Sequence, residues 1–124
     1  MMIADSQVHL WSFRGDGNPW HRMVPAFTVE ELIAEMDEAG VDRAVVVPPM
    51  WMGNDNSQAT AAAAAHPGRL AVLGRMDLFD QAGADKLPDW KQQSGMLGLR
   101  FTLGRPEEQE ALKSGGLDWL WSAA

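Results

Sequence analysis

The sequence predicts an α/β fold in which parallel strands alternate with helices. Short apolar runs recur along the 124 residues, separated by segments with helical periodicity or helix-capping residues. No apolar run is followed by the short glycine turn that is typical of a β-hairpin. Because parallel strands need crossover connections, which are right-handed, the pattern predicts about four parallel βα units in one sheet.

The first strand is predicted at residues 3–9. Side chains two residues apart in a strand lie on the same face, so alternation places Asp5, Gln7 and His9 together. Asp5 comes at the start of the run, and we expect it to be structural. Gln7 and His9 lie near the end of the strand, where a polar face is either solvated or part of a binding site.

The first helix is predicted after a long loop, residues 12–27. Thr28 and Glu31 have the spacing of a capping box, in which each side chain binds a backbone amide of the other residue. Gly40 supplies the left-handed conformation that ends many helices. The helix between them carries an apolar stripe at i, i+3, i+4 and i+7, formed by Val29, Leu32, Ile33 and Met36.

The remaining strands are predicted at residues 43–48, 70–75 and 97–101. A helix follows the second strand, with N-cap candidates in residues 54–57, and it ends near His66 because a proline and a glycine come next. A weaker helix is predicted at residues 84–93.

The last two helices are predicted near the end of the chain. Pro106 with two following glutamates is a favourable helix opening. Residues 117–124 begin like an amphipathic helix and end without a cap or a polar tail, so the chain reads as unfinished.

Composition and charge exclude several classes of protein. The hydrophobic fraction of 46% predicts a packed core, and we expect one domain. The net charge of −7 disfavours nucleic acids and anionic membranes as partners. No apolar run approaches the roughly 18 residues of a membrane span. The absence of cysteine excludes disulfides and thiolate metal sites, and together with the lack of a signal peptide it predicts a cytoplasmic protein.

Four segments, taken in order, resemble the amidohydrolase-related family of metal-dependent hydrolases. They are residues 5–11, 36–43, 62–69 and 98–101, which read DSQVHLW, MDEAGVDR, AAAAHPGR and GLRF. The family fold is a (β/α)8 TIM barrel, which typically needs about 250 residues. The resemblance therefore implies that residues 1–124 form a single domain, a partial TIM barrel equivalent to its N-terminal half.

The resemblance also implies roles for Gln7 and His9. In the family the first strand usually carries His-x-His, and both imidazoles bind a divalent metal. Here Gln7 occupies the first position, so His9 is the expected metal ligand, and His9 and Gln7 are the expected catalytic residues. Gln7 either positions a substrate carbonyl or a water molecule, or forms a hydrogen bond inside the barrel.

A metal is expected in the complete enzyme rather than in this chain. The family's further ligands and its catalytic aspartate lie on later strands, and an amide is a weak ligand for zinc. We therefore expect that zinc or manganese binds in a complete barrel, and that residues 1–124 alone hold no stoichiometric metal.

Substrate-binding residues are predicted where the later strands end. Arg75 and Arg100 end the third and fourth strands, where guanidinium groups suit a carboxylated substrate; the alternative is an ion pair with neighbours such as Asp77. Trp51, after the second strand, is the tryptophan best placed to face a ligand.

Two other histidines are expected to be non-catalytic. His21, with Arg22, lies in the long loop beside Trp20; the alternatives are that both reach over the site or that the loop is solvated, and we expect the second. His66 comes at a helix end, where a cation complements the helix dipole.

The predicted function is hydrolysis of a small carboxylated lactone, ester or amide, provided that the missing barrel half is present. Non-oxidative decarboxylation within the same superfamily is the first alternative. The second is an inactive half-barrel that acts by assembly. If residues 1–124 fold alone, self-association is expected, because a half-barrel exposes sheet edges and apolar positions.

Overall fold

A computed structural model describes residues 1–13 and 24–123. Its four strands form one parallel sheet in the order β1-β2-β3-β4, which confirms the predicted α/β fold. Each strand differs from its predicted bounds by two residues or fewer at either end. The strands are β1 (Ala4–Val8), β2 (Arg43–Val46), β3 (Leu70–Gly74) and β4 (Met96–Leu99).

Helices follow three of the four strands. They are α1 (Val29–Ala39), α2 (Ser57–Ala65), α3 (Pro106–Lys113) and α4 (Asp118–Ala123). The capping box of α1 is confirmed, since the Thr28 backbone N–H donates to Glu31 Oε2 at 2.7 Å and the Glu31 N–H donates to Thr28 Oγ1 at 3.3 Å. Gly40 adopts the left-handed conformation with φ 70°, as predicted.

The helical stretch predicted at residues 84–93 is not one continuous helix. Two short 3₁₀ helices, Gln81–Lys86 and Trp90–Gln92, take its place between β3 and β4. Pro88 separates them, because proline has no amide hydrogen and cannot continue a helix across that position.

The hydrophobic core lies on one face of the sheet. The buried strand residues Ala44, Val46, Leu70, Val72 and Met96 belong to the same cluster as the helix residues Leu32, Met36, Ala59, Ala62, Ala63, Leu117 and Leu120. On the opposite face, the β2 and β3 side chains are only partly buried. Helices therefore cover one side of the sheet, as in a βα repeat.

A β-bulge near the end of β1 determines which side chains share a face. Asp5 pairs with Ala44 and Val8 pairs with Val46, so β1 advances by three residues where β2 advances by two. Since paired residues lie on the same face, Asp5 shares the face of Val8 and not that of its second neighbour Gln7. The predicted common face of three polar residues is thus wrong for Asp5.

The outer strands of the described sheet are β1 and β4. Each borders a cleft, of about 380 Å³ between β1 and α1 and about 390 Å³ between β4 and α4. Across the part of the chain that the structure describes, every helix is too short or too polar to cross a membrane. The predictions for Trp20, His21 and Arg22 fall outside the described residues.

Candidate functional site

The carboxyl ends of the four strands bring together most of the predicted site positions. His9 is the first residue after β1, Arg75 is the first after β3, and Arg100 is the first after β4. Between them lies the segment after β2, Val47 to Trp51. In parallel α/β sheets this edge is the usual location of a binding site.

His9 is held in one tautomer by the end of β2. Its Nδ1 lies 2.7 Å from the Val47 carbonyl oxygen, and because a carbonyl only accepts, Nδ1 carries the hydrogen. In the neutral ring Nε2 is then an acceptor, and the Gln7 Nε2 amide donates to it at 3.4 Å. The two predicted catalytic side chains are therefore in contact, with the basic nitrogen of the imidazole turned toward the amide.

These two residues do not make a metal centre by themselves. Within residues 1–13 and 24–123 no three His, Asp or Glu side chains are grouped closely enough to hold a metal ion. A protein zinc site needs three or four ligands, whereas the end of β1 offers one imidazole and one weakly ligating amide. The described donor set does not fit zinc or manganese without further ligands.

Arg75 and Arg100 lie close together beyond β3 and β4. The Arg75 Nε donates to the Pro48 carbonyl oxygen at 2.6 Å, and the Arg100 backbone N–H donates to the Gly74 carbonyl oxygen at 2.8 Å. Partial burial, followed by the positive charge of Arg100, lowers the pKa of the Arg75 guanidinium. Each guanidinium thus lies within the electrostatic field of another cation.

No carboxylate in the described part of the chain forms an ion pair with either arginine. The ion pairs there are Arg69 with Asp37, and Arg105 with Glu107 and Glu108. The alternative of an Arg75–Asp77 ion pair is accordingly not formed. Instead Asp77 Oδ1 accepts from the Phe79 backbone N–H at 2.9 Å.

Both arginines line an open cleft of about 610 Å³. Residues that follow β2, β3 and β4 line it. Its polar lining residues are Asn54, Arg75, Asp77, Arg100, Thr102, Arg105 and Glu108. Clefts of this volume are large enough for a small organic ligand.

A third guanidinium at the rim, from Arg105, was not predicted from the sequence. Glu108 Oε1 accepts from Arg105 Nη2 at 2.7 Å, and Glu108 Oε2 accepts from the Arg105 backbone N–H at 3.0 Å. These bonds lower the pKa of the Glu108 carboxyl and raise that of the Arg105 guanidinium. Arg105 immediately precedes a helix-opening proline, which is the signal that could have drawn attention to it.

Asn56, one of the N-cap candidates before α2, fixes the end of β3. Its Oδ1 accepts from the Arg75 backbone N–H at 2.7 Å, and its Nδ2 donates to the Arg75 carbonyl oxygen at 2.9 Å. Only the three-dimensional proximity of α2 and β3 reveals this contact.

Gln7 and His9 do not share the arginine cleft. They line the smaller cleft between β1 and α1, together with Asp5 and Glu35. Trp51 packs edge-on against Trp11, with ring centroids 6.0 Å apart, and does not line either cleft. The predicted site residues are thus distributed along one edge of the sheet rather than gathered in one pocket.

No protein-family model matches the chain, and no curated protein matches it. Several solved structures do, among them the following two. One is a probable 2-pyrone-4,6-dicarboxylic acid hydrolase from Acinetobacter baumannii, determined with citric acid bound; it is 25% identical, with a TM-score of 0.64 over 96% of this chain and 48% of that one. The other is an apo structure from Agrobacterium tumefaciens, 18% identical, with a TM-score of 0.55 over 90% of this chain and 44% of that one.

The chain therefore spans about half the length of the structures that it matches. The second match shows the fold alone. The first adds that a protein which shares this fold over about half its length is named a probable hydrolase of a dicarboxylic acid.

Proposed function

We propose that this chain supplies the N-terminal half of a hydrolase of the amidohydrolase-related type, acting on a small carboxylated lactone, ester or amide. In this proposal Arg75 and Arg100 bind a substrate carboxylate, and His9 with Gln7, which line the separate cleft beside β1, acts on the scissile group once the complete barrel joins the two clefts in one site. Activity depends on the rest of a (β/α)8 barrel.

The observation that carries the proposal is the pair of neighbouring guanidinium groups in one cleft. Partial burial, followed by repulsion from Arg100, lowers the pKa of Arg75, and within the described residues no carboxylate forms an ion pair with either of them. An anionic ligand relieves that repulsion, and a carboxylate matches the planar donor fork of arginine. The similar hydrolase of a dicarboxylic acid supports the same substrate class.

The tautomer of His9 supports a role as a base. With Nδ1 bonded to Val47, the lone pair of Nε2 accepts a proton from an attacking water molecule when that water displaces the Gln7 amide from it. The Gln7 amide, which reaches Nε2 at 3.4 Å, is placed to orient that water or a carbonyl oxygen. A divalent metal, zinc or manganese, belongs to this proposal only with ligands from outside the described residues.

The test is an assay of paired substrates. The product of the longest reading frame containing these 124 codons is given an aromatic lactone with and without a ring carboxylate, and acid release and carbon dioxide are both followed. We expect acid release from the carboxylated lactone alone, with all carbon retained in the products. Release of carbon dioxide would establish the decarboxylase alternative instead, and no reaction in either assay would favour an inactive half-barrel.

Arg100→Gln separates binding from chemistry in that assay. Because Arg100 contributes a charged hydrogen-bond donor to substrate binding, its loss should raise KM by about tenfold or more with a smaller change in kcat. His9→Gln should lower kcat instead. Equal effects of the two substitutions on KM would contradict the assigned roles.

A further inference from the structure

We infer that Asn56 is a positioning residue, which acts through Arg75 and sets the carboxylate affinity of the arginine cleft. This inference rests on the proposed function, in which Arg75 binds a substrate carboxylate. It assigns to Asn56 a role apart from the helix that this residue begins.

The Asn56 side chain does not form the hydrogen bond that is usual for an asparagine at an N-cap. Asparagine at an N-cap normally accepts a hydrogen bond from an amide of its own helix. Here Asn56 occupies the N-cap of α2 but makes no such bond. Asp55 does so in its place, since its Oδ1 accepts from the Ser57 backbone N–H at 2.9 Å.

Instead, the Asn56 side-chain amide forms hydrogen bonds with both the N–H and the carbonyl oxygen of Arg75. Asn56 Oδ1 accepts from the Arg75 N–H at 2.7 Å and Asn56 Nδ2 donates to the Arg75 carbonyl oxygen at 2.9 Å. A side chain that both donates and accepts is needed for this pairing, so neither aspartate nor leucine can replace it. Arg75 lies beyond the last residue of β3, and the pairing extends the order of the strand by one residue.

The position of the Arg75 side chain follows from its fixed backbone. Its Nε reaches the Pro48 carbonyl oxygen at 2.6 Å, which orients the guanidinium within the cleft. At the preceding residue, Gly74, a Cβ would lie 2.8 Å from the Trp90 ring and 3.1 Å from Asn56 Oδ1. The strand end is thus tightly packed around the residue that Asn56 holds.

The experiment compares Asn56→Ala with Thr60→Val in the full chain. Thr60 Oγ1 donates to the Asn56 and Ser57 carbonyl oxygens, both at 3.1 Å, so Thr60→Val loosens the same helix start without touching Arg75. Both substitutions leave the net charge unchanged. Citrate is the probe, and its Kd is measured by calorimetry.

We expect Asn56→Ala to weaken citrate binding by about tenfold and Thr60→Val to change it by less than about twofold. In an Arg75→Gln background Asn56→Ala should have no further effect, because it acts through Arg75. The Nε–H resonance of Arg75 should shift in Asn56→Ala and stay in place in Thr60→Val. An unchanged Arg75 resonance in Asn56→Ala, or a loss of affinity that persists without Arg75, would overturn the inference.

Failure of the proposed function has a different signature. If the wild-type chain does not bind citrate, carboxylate binding is contradicted, while the Arg75 Nε–H resonance still decides whether Asn56 positions that side chain. If Asn56→Ala does not fold, Asn56→Ser is used in the same measurements. Its hydroxyl is expected to keep the acceptor for the Arg75 N–H and to lose the bond to the carbonyl, giving a smaller shift in the same direction.

Discussion

The imidazole of His9 joins the ends of two strands, because its Nδ1 donates to the Val47 carbonyl oxygen at 2.7 Å. Val47 is fully buried, so its carbonyl oxygen has little access to water as an alternative donor. The same bond that selects the tautomer of His9 therefore also contributes to the stability of the sheet.

His9→Phe should lower the free energy of unfolding by about 1–3 kcal/mol, since it leaves a buried carbonyl oxygen without its donor. Urea denaturation measures this change. Gln7→Leu is the control on the same strand; Gln7 is exposed, and we expect a change within about 0.5 kcal/mol. Equal stability of His9→Phe and the wild-type chain would show that the Nδ1 bond has no structural role.

The end of β3 should be intolerant of a single added methyl group. Gly74→Ala would place its Cβ 2.8 Å from the Trp90 ring and 2.9 Å from Met96 Cε. The ring cannot easily move, because Trp90 is buried and its Nε1 donates to the Gly98 carbonyl oxygen at 3.0 Å. We expect a loss of about 1–3 kcal/mol in the free energy of unfolding.

Gly98→Ala is the matched control for that prediction. Its Cβ would meet only Leu73, at 3.6 Å, which is an ordinary van der Waals contact. The thermal midpoint should therefore fall clearly in Gly74→Ala and little in Gly98→Ala. The reverse order would contradict the packing described around the strand end.

The alternation of strands and capped helices was sufficient to predict the sheet, its parallel order and the capping box of α1. These features depend on local patterns, such as the Thr28–Glu31 spacing and the left-handed Gly40. The bulge between Asp5 and Val8 depends on how β1 matches the length of β2, and no local pattern encodes that match. For this reason the face of Asp5 was predicted wrongly.

The site was predicted less completely than the fold. His9, Arg75 and Arg100 were identified because each lies at the end of a predicted strand, and strand ends in a βα unit can be predicted from the sequence. The pairing of Asn56 with Arg75 joins residues 19 positions apart, and only the packing of α2 beside β3 creates it. The sequence thus predicted the candidate functional side chains, but not the hydrogen bonds by which Asn56 holds Arg75.

Glu108 should make the stability of the chain depend on acidic pH. Its bonds from the backbone and guanidinium of Arg105 lower the pKa of its carboxyl in the folded state. On acidification the unfolded chain takes up this proton first, at its ordinary value of about 4.3. The stabilisation is therefore fully present above that pH and is lost as the pH falls through the lower, folded value.

The measurement is the thermal midpoint from about pH 6 down to about pH 3 in the wild type and in Glu108→Gln. The midpoint of Glu108→Gln should fall less steeply. Glu110→Gln, an exposed residue on the same helix, removes the same charge and should retain the wild-type slope. Equal slopes in the wild type and Glu108→Gln would contradict the assigned role of the Arg105–Glu108 contact.

The purified 124-residue chain should associate as its concentration rises, because β1 and β4 are the outer strands of the described sheet and each borders an open cleft. Light scattering measures the mass. Trp121→Lys, in the apolar cleft beside β4, should reduce association, whereas Leu112→Lys on α3 should not. A constant monomeric mass over a wide concentration range would contradict this prediction.

Carboxylate binding by the paired arginines is the central claim, and calorimetric titration with citrate tests it most directly. We predict that the wild-type chain binds citrate, and that Arg100→Gln weakens the affinity by about tenfold or more, because charged hydrogen bonds to a carboxylate are lost. Arg43→Gln, which removes an exposed cation at the opposite end of β2, should leave the affinity unchanged. Absence of citrate binding in the wild type, or equal weakening by Arg43→Gln and Arg100→Gln, would contradict the claim.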